Sequence, residues 1–410
     1  PAVAAASVWH RPRGGGTFAL RALRALRALR ALRALRALRA LMLPVALRAE
    51  IDLDAIRHNL RVLTAKAAPA SVMAVVKADA YGHGAVPVAR MLVAEGVAWL
   101  TVATVPEAVQ LREAGIEADL LVLAAPRPEF LPAYEAHRLD VVVSSPEVAE
   151  AVAARGGLRA HVKVDTGMHR LGVAPEAAAD VVRRLQTAGT EVVALWTHLA
   201  TADGADVGFA IEQVRRFDGV LKDLGEDAPP LVHIANGPAV VRLPPLASRP
   251  ALARLGGVLY GIDSDPAMGA ATAGLRPAMR LVTQVVHLQT VAPSESVSYG
   301  RTWTAEAPTR VATLAVGYAD GLPRALSNRG RIGIGGRLRP VVGRVCMDMT
   351  MVSLGDPEAA GDVRLGDEAV VFGRGGPAVE DQARAAGSMA YELTSGLTAR
   401  VPRAHRGGHR

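Results

Sequence analysis

Cysteine is all but missing from this chain. Its 410 residues hold a single one, Cys346, which excludes an intramolecular disulfide or a cysteine-based metal cluster and suits a reducing compartment. No run of about 18 consecutive apolar residues occurs, so a membrane-spanning helix is not expected. Acidic residues are absent from positions 1–41, which carry nine arginines (Arg11, Arg13, Arg21, Arg24, Arg27, Arg30, Arg33, Arg36 and Arg39). Taking those nine from the formal charge of +8 leaves −1 for everything after them. The basicity belongs to one tail, and the rest lacks the positive footprint that a nucleic-acid backbone requires.

From Arg21 to Leu41 the tail repeats Arg-Ala-Leu every three residues. A helix turns every 3.6 residues or so, hence a period of about three winds the leucines around it and leaves no apolar stripe. The repeat reads as low-complexity sequence without structure, upstream of a start at Met42. An organellar presequence and a basic interaction tail are the alternatives.

After Leu47 short apolar runs alternate with amphipathic stretches. Strands are predicted at Val72–Val76, Trp99–Val102, Asp119–Leu123, Asp140–Val143, Ala160–Val164, Val192–Trp196, Leu231–Ile234 and near Ala251–Gly256. Between them lie helices such as the one opened by the capping box Thr104-Val105-Pro106-Glu107, and another opened at Ser145-Pro146-Glu147. Eight buried parallel strands alternating with helices over about 230 residues predict a (β/α)8 barrel of the TIM type. An open doubly wound sheet is the rival, but the first strand is not followed by a Gly-x-Gly-x-x-Gly turn. Past Pro277 the texture changes to β-branched runs separated by Gly, Pro and Asp, among them Leu281–Val291, Arg310–Val316, Arg331–Ile334, Leu338–Val345, Met349–Leu354 and Glu368–Phe372. The expected organisation is a tail (1–41), a barrel (42–278) and a mostly antiparallel β domain (279–410).

Lys77 follows the apolar run Val72-Met73-Ala74-Val75-Val76, which puts it at the carboxyl-terminal mouth of the barrel, where barrel active sites are built. Apolar surroundings lower a lysine's pKa and suit it to Schiff-base chemistry; a solvated lysine opening a loop fits the spacing equally well. Arg170, in Lys163-Val164-Asp165-Thr166-Gly167-Met168-His169-Arg170-Leu171-Gly172, can grip a carboxylate with two prongs or sit in a rim salt bridge. His198 ends the sixth barrel strand, where a lone histidine is more often a satisfied hydrogen-bonder than a catalyst. Asp320-Gly321 alone supports only a turn after a strand.

The string Val75-Val76-Lys77-Ala78-Asp79-Ala80-Tyr81-Gly82-His83-Gly84 resembles the cofactor-lysine motif of alanine racemases, and the resemblance continues through separate motifs from about Glu50 to Arg403. It implies pyridoxal phosphate (PLP) on Lys77 as a Schiff base and Tyr81 at the cofactor phosphate. It implies Arg170 at the PLP phenolate and the substrate carboxylate, braced by Lys163, which is carbamylated in many members. His198 is implied beside the pyridine ring and Arg254 against its nitrogen. An arginine donates to that nitrogen without protonating it, leaving a weaker electron sink that favours racemisation over transamination. Related barrel decarboxylases have an acid there. Asn236, Gly237, Gly256 and Gly257 are implied around the phosphate, which barrels bind at loops seven and eight.

Two positions depart from the commoner pattern: Gly237 stands where a serine often helps, and Ala399 where some members have a tyrosine. Val316-Gly317-Tyr318-Ala319-Asp320-Gly321 matches the second catalytic motif, with Tyr318 as the base facing Lys77. Val342-Gly343-Arg344-Val345-Cys346-Met347-Asp348 matches the segment lining the entrance and carboxylate site, through Met347 and Asp348, with Cys346 a bystander.

Racemisation takes the α-proton from one face and returns one to the other, so two opposed groups are needed. The resemblance implies Lys77 for D-alanine, Tyr318 for L-alanine, and a head-to-tail homodimer in which the partner supplies Tyr318. It implies D-alanine for peptidoglycan, a cytoplasmic location and no metal. The rivals are a PLP racemase of broader specificity, since a methyl group discriminates by only about 1–3 kcal/mol; a non-catalytic PLP carrier on a lone barrel; and a nucleic-acid binder driven by the tail.

Overall fold

The computed structural model describes residues 46–246, 250–358 and 360–407, so the Arg-Ala-Leu repeat and Met42 lie outside the described residues. In chain order the strands are β1 (Arg48–Asp52), β2 (Ser71–Val75), β3 (Trp99–Val102), β4 (Asp119–Val122), β5 (Asp140–Val143), β6 (Arg159–Lys163), β7 (Glu191–Trp196), β8 (Leu231–His233) and β9 (Leu252–Leu255). Then come β10 (Met279–Val291), β11 (Ser296–Val297), β12 (Trp303–Thr304), β13 (Thr309–Leu314), β14 (Arg331–Ile334), β15 (Arg337–Pro340), β16 (Thr350–Gly355), β17 (Glu368–Phe372) and β18 (Arg403–Arg406).

Strands β2 to β9 lie side by side and parallel, and a bridge from Val232 to Ala251 joins β8 to β9 and closes the ring. This is the expected (β/α)8 barrel, each strand within one residue of its predicted bounds. Parallel strands covered on both faces need apolar residues at nearly every position, and β5 and β9 are buried throughout. Residues of one parity, such as Ala74, Leu100, Leu120, Ala160, Val232 and Ala253, pack outward under the helices. The opposite parity faces the barrel axis, which Met73, Leu121, Val142, Trp196 and Leu252 fill. His161, Lys163, His233 and Arg254 share that inward parity. Four polar side chains are thus delivered into the barrel by alternation alone.

Between the strands, Thr104 and Glu107 form the predicted capping box of the helix Val105–Glu113. Ser145 Oγ accepts the Val148 N–H at the start of Pro146–Arg155. No helix among the described residues is long and apolar enough to cross a membrane.

The later strands build the mostly antiparallel sheet, in the order β15-β14-β17-β10-β1-β18, with β13 pairing β10 and β16. Strand β1, within the span expected to build the barrel, instead enters this sheet, antiparallel to β10 and parallel to β18. Its sequence buries only Ala49 and Ile51 in strict alternation, the period of a half-exposed strand. The run expected over Leu338–Val345 ends as a strand at Pro340, where proline lacks a ladder donor, and Val341 makes only an isolated bridge to Val352.

Candidate active site

Arg254 sits inside the barrel mouth, 4% exposed. Its Nη1 donates to His233 Nδ1 at 2.9 Å and to the His233 carbonyl at 2.5 Å. Its Nη2 donates to the carbonyls of Thr197 (2.8 Å) and Ile234 (3.2 Å) and to His198 Nδ1 (3.2 Å). A guanidinium has five N–H donors and cannot accept; among the described residues, the Nε–H is the one left for an acceptor outside this set. Because Arg254 only donates, each imidazole nitrogen facing it must be unprotonated. His198 therefore keeps its proton on Nε2, as does His233. His233 Nε2–H then donates to His161 Nδ1 (3.0 Å), and His161 Nε2–H donates to Asp140 Oδ2 (3.0 Å). A buried cation and a buried carboxylate are thus joined through two neutral rings. Sequence reading singled out neither His161 nor His233, although their inward parity on β6 and β8 was there to be used.

Lys163, 3% exposed, places its Nζ 4.7 Å from the Trp196 ring centre, and Arg254 lies over the same ring at 4.9 Å. Burial, then the charges of Arg170 and Arg254, press the Lys163 pKa down to about 8. Burial and Arg170 also lower Lys77, with Glu107 acting in the opposite sense. His198 and His233 are held neutral, far below the usual histidine range, by burial and by Arg254. Even pushed to about 9 by burial and Arg170, Arg254 keeps its charge at neutral pH. The structure therefore brings Lys77, Lys163, Arg170, His198 and Arg254 into one electrostatic cluster.

The loop carrying Arg170 is shaped by Asp165 Oδ1, which accepts the N–H groups of Gly167 and His169 at 3.0 Å each. Gln213, which sequence reading missed, is fully buried and ties that loop to the next. Its Nε2 donates to the His198 carbonyl (3.0 Å) and to Thr166 Oγ1 (3.2 Å).

After Lys77 the backbone does something its composition does not favour. Ala78, Asp79, Ala80 and Tyr81 all have left-handed φ of 51–55° and make a helical turn of the wrong hand. Each such residue costs roughly 1–2 kcal/mol, so the turn persists only because its surroundings hold it. Asp79 Oδ1 accepts the Ala85 N–H (2.7 Å), His83 Nδ1–H donates to the Ala80 and Tyr81 carbonyls (3.0 Å each), and Arg403 Nε donates to the Gly82 carbonyl (3.1 Å). Gly82 continues with φ 84°, and a side chain there would overlap the Thr394 carbonyl.

This turn aims Tyr81 at Gly256, whose missing Cβ would lie 2.5 Å from the Tyr81 hydroxyl. A Cβ on Gly257 would overlap the ring and hydroxyl of Tyr391, which packs edge-on against Tyr81 with centroids 5.3 Å apart. Burial lifts the Tyr81 phenol to about 12 and raises Tyr391 as well, so both hydroxyls stay protonated donors. Sequence reading looked for a tyrosine at 399; Ala399 is exposed in a turn, and the tyrosine entering this cradle is Tyr391, which no local motif marked. A Cβ on Gly237 would sit 2.6 Å from Val258 Cγ2, so valine fills the space a serine would need. Asn236 is spent on structure: Oδ1 accepts the Ala239 N–H (3.1 Å) and Nδ2 donates to the Leu199 carbonyl (3.2 Å).

Tyr318, Met347 and Asp348 form a second group on the β domain. The N–H groups of Tyr318 and Ala319 donate to the carbonyls of Cys346 and Met347 at 3.0 Å, which lays the two loops together. Arg400 bridges Asp320 (3.0 Å) and Asp348 (2.7 Å). Tyr318 is 42% and Met347 52% exposed. Among the described residues of one chain, no hydrogen bond, ion pair or ring contact joins Tyr318 to Lys77, His198 or Arg254. The Cys346 thiol points elsewhere, its Sγ 3.4 Å from the Ser298 hydroxyl.

Comparison with known proteins agrees with this geometry. Residues 51–264 match the N-terminal domain of alanine racemase, and residues 278–405 match its C-terminal domain. An alanine racemase of Mycolicibacterium smegmatis is 44% identical over 372 residues, covering 87% of this chain and 93% of that protein. One from Chlorobaculum tepidum is 39% identical over 375 residues, covering 88% and 95%. The crystal structure of the biosynthetic alanine racemase from Pseudomonas aeruginosa superposes with a TM-score of 0.81 at 38% identity, covering 88% of this chain and all of that one. The chain belongs to the alanine racemase family.

Proposed function

We propose that the barrel cluster holds PLP on Lys77, and that this family member interconverts L- and D-alanine with Lys77 and Tyr318 as its two proton-handling groups. The observation that carries the reading is the convergence of Lys77, Lys163, Arg170, His198 and Arg254 beside a cradle of glycines and protonated phenols. Two glycines without room for a Cβ, two hydroxyl donors and a field of cations fit a phosphate. The Arg254 Nε–H fits a ring nitrogen that must be capped without being protonated. When bound, the cofactor draws electrons from the substrate's α-carbon and makes its proton removable.

The residues do the rest. Arg170 grips the substrate carboxylate and holds the α-carbon in place. Lys77 Nζ, eased toward its neutral form, takes the α-proton of D-alanine, and Tyr318 Oη takes that of L-alanine from the opposite face. Lys163 is a neutral amine for much of the time near pH 8. Such an amine adds carbon dioxide and loses a proton, and the resulting carbamate would replace a cation beside Arg170 and Arg254 with an anion that braces both. Tyr318, Met347 and Asp348, exposed on the β domain, are read as the part of the site offered to a second copy, giving a homodimer with shared active sites. Its product would supply peptidoglycan synthesis, and we place the reaction in the cytoplasm on that ground.

Chiral chromatography after incubation with L-alanine and PLP tests the activity. Mixing tests the sharing: Lys77→Ala and Tyr318→Phe should each be inactive, while dissociated and reassociated together they should regain about a quarter of native activity, because half the dimers carry one intact composite site. No recovery on mixing would refute the shared site.

A further inference from the structure

Glu107 serves as a capping-box residue of the helix Val105–Glu113, yet its carboxylate does more than a cap requires. Oε2 accepts the N–H groups of Ala103 (2.8 Å) and Thr104 (3.0 Å). Oε1 reaches across to the neighbouring barrel loop and accepts the N–H of Ala78 at 2.7 Å. Ala78 directly follows Lys77 and is the first residue of the left-handed turn. The other side chains that hold the turn bond to residues further along: Asp79 with Ala85, His83 with Ala80 and Tyr81, Arg403 with Gly82, and His405 with His83. Among the described residues, Glu107 alone makes a side-chain hydrogen bond to the backbone of Ala78, the residue joined to Lys77.

We propose that Glu107 is the positioning residue of Lys77: its carboxylate rivets the start of the left-handed turn to the helix of the next barrel unit and so fixes where the lysine amine stands. The proposal rests on the reading of Lys77 as the cofactor lysine. A capping box accepts glutamine as readily as glutamate. The third hydrogen bond does not: glutamine offers one acceptor oxygen, and its amide N–H groups would face backbone donors. Aspartate keeps the charge but is one methylene shorter, too short to span both loops. The electrostatics point the same way. Two charged groups bear on Lys77: Arg170 disfavours its protonated form, and Glu107 favours it.

The chain has only four lysines, Lys66, Lys77, Lys163 and Lys222, so trace acetylation across pH followed by peptide mass mapping resolves each amine in the cofactor-free protein. Exposed Lys66 and Lys222 serve as internal standards. In Glu107→Gln the Lys77 midpoint should move to lower pH by about half a unit while the standards stay put. With PLP bound, kcat should fall about tenfold or more, with KM for alanine changed less than about twofold, as expected for a displaced base and an intact carboxylate grip. Glu107→Asp should keep the midpoint and still lose kcat, because charge is retained and reach is not. Should Glu107→Gln fail to fold, the aspartate variant decides alone: native kcat in it overturns the proposal.

Borohydride reduction of the native holoenzyme, mapped the same way, shows which lysine carries the cofactor. Label on a lysine other than Lys77 removes the reading of the site itself. Label on Lys77, with its midpoint and kcat unmoved in Glu107→Gln, overturns the positioning role and leaves that reading intact.

Discussion

Lowering the pH from 7 to 4.5 should destabilise this protein through His83 by an amount that one substitution removes. The ring is fully buried. Its Nδ1–H is shared between the carbonyls of Ala80 and Tyr81, and its face stacks on Tyr260 with centroids 4.6 Å apart. Nε2 has no hydrogen-bond partner, so protonation would bury a second N–H with nothing to accept it. Burial, with lesser contributions from the charges of His405 and Arg403, pushes the pKa to about 4 from 6.5. The unfolded chain takes up this proton near pH 6.5 and the folded protein near 4, so between those values the unfolded state holds more protons. Stability is undiminished above 6.5 and declines as the pH falls through that window, by about 1.4 kcal/mol per unit, or roughly 2 kcal/mol over the range stated. Urea unfolding at both pH values, for the native protein and for His83→Asn, isolates the effect. Asparagine can still donate to the Ala80 carbonyl but does not titrate. The variant should be less stable at pH 7, where it loses the stack, yet show a pH dependence smaller by about 2 kcal/mol. His198 and His233 titrate in both proteins and cancel in the comparison. An equal pH dependence in the two would refute the reasoning.

Two further substitutions probe the cradle and the barrel interior. Gly257→Ala drives a methyl group into Tyr391 and should weaken PLP binding about tenfold or more, equivalent to about 1.4 kcal/mol, as read by equilibrium dialysis; unchanged affinity would take Tyr391 and Gly257 out of the phosphate site. Asp140→Asn and Arg254→Gln remove charges separated by two rings and three hydrogen bonds, roughly 13 Å, at which unit charges interact by about 1 kcal/mol at an effective dielectric of 20 or so. A double-mutant cycle on unfolding free energy should return a coupling near that value, where sites about 10 Å or more apart ordinarily add; strict additivity would mean that the histidines do not connect them.

The barrel was legible because buried parallel strands advertise themselves as apolar runs, and the motif residues Lys77, Arg170, His198, Arg254 and Tyr318 stood within strands or in the loops that follow them. What stayed hidden was of two kinds. The left-handed turn has no glycine among Ala78 to Tyr81; local preference opposes it, and it is held by Asp79 and His83 nearby together with Glu107, Arg403 and His405, distant in sequence. Tyr391 and Gln213 likewise reach the site from helices whose patterns speak only of packing. His161 and His233 were legible in principle. They interrupt apolar strands at the parity of Lys163 and Arg254, and aligning the strands by parity would have shown four polar groups bound for the same space. Strand β1 was misplaced for a simpler reason: its alternation matched the sheet, but its position in the chain suggested the barrel.

The placement of acids explains how this site can carry so much positive charge. Near Lys77, Lys163, Arg170 and Arg254 the carboxylates are turned to other tasks. Asp165 is engaged by the amides of its own loop, Glu107 by three backbone donors of two loops, and Asp140 stands beyond two imidazoles. Glu107 tempers Lys77 and Asp165 tempers Lys163 from a distance, and none of the three carboxylates forms a hydrogen bond or ion pair with the four cations. A carboxylate in contact with Arg254 would neutralise a charge that, after burial and Arg170, lowers the pKa of Lys163. Among the described residues no carboxylate makes that contact; burial and Arg170 lower both Lys77 and Lys163, and the strongest available relief of the mutual repulsion is an anion from outside. A phosphate or a substrate carboxylate that binds here gains the whole field, and in gaining it raises the proton affinity of the adjacent lysines. Anion binding and the protonation state of these lysines are therefore coupled by the same charges, so the amine with the highest proton affinity is the one beside an anion already in place.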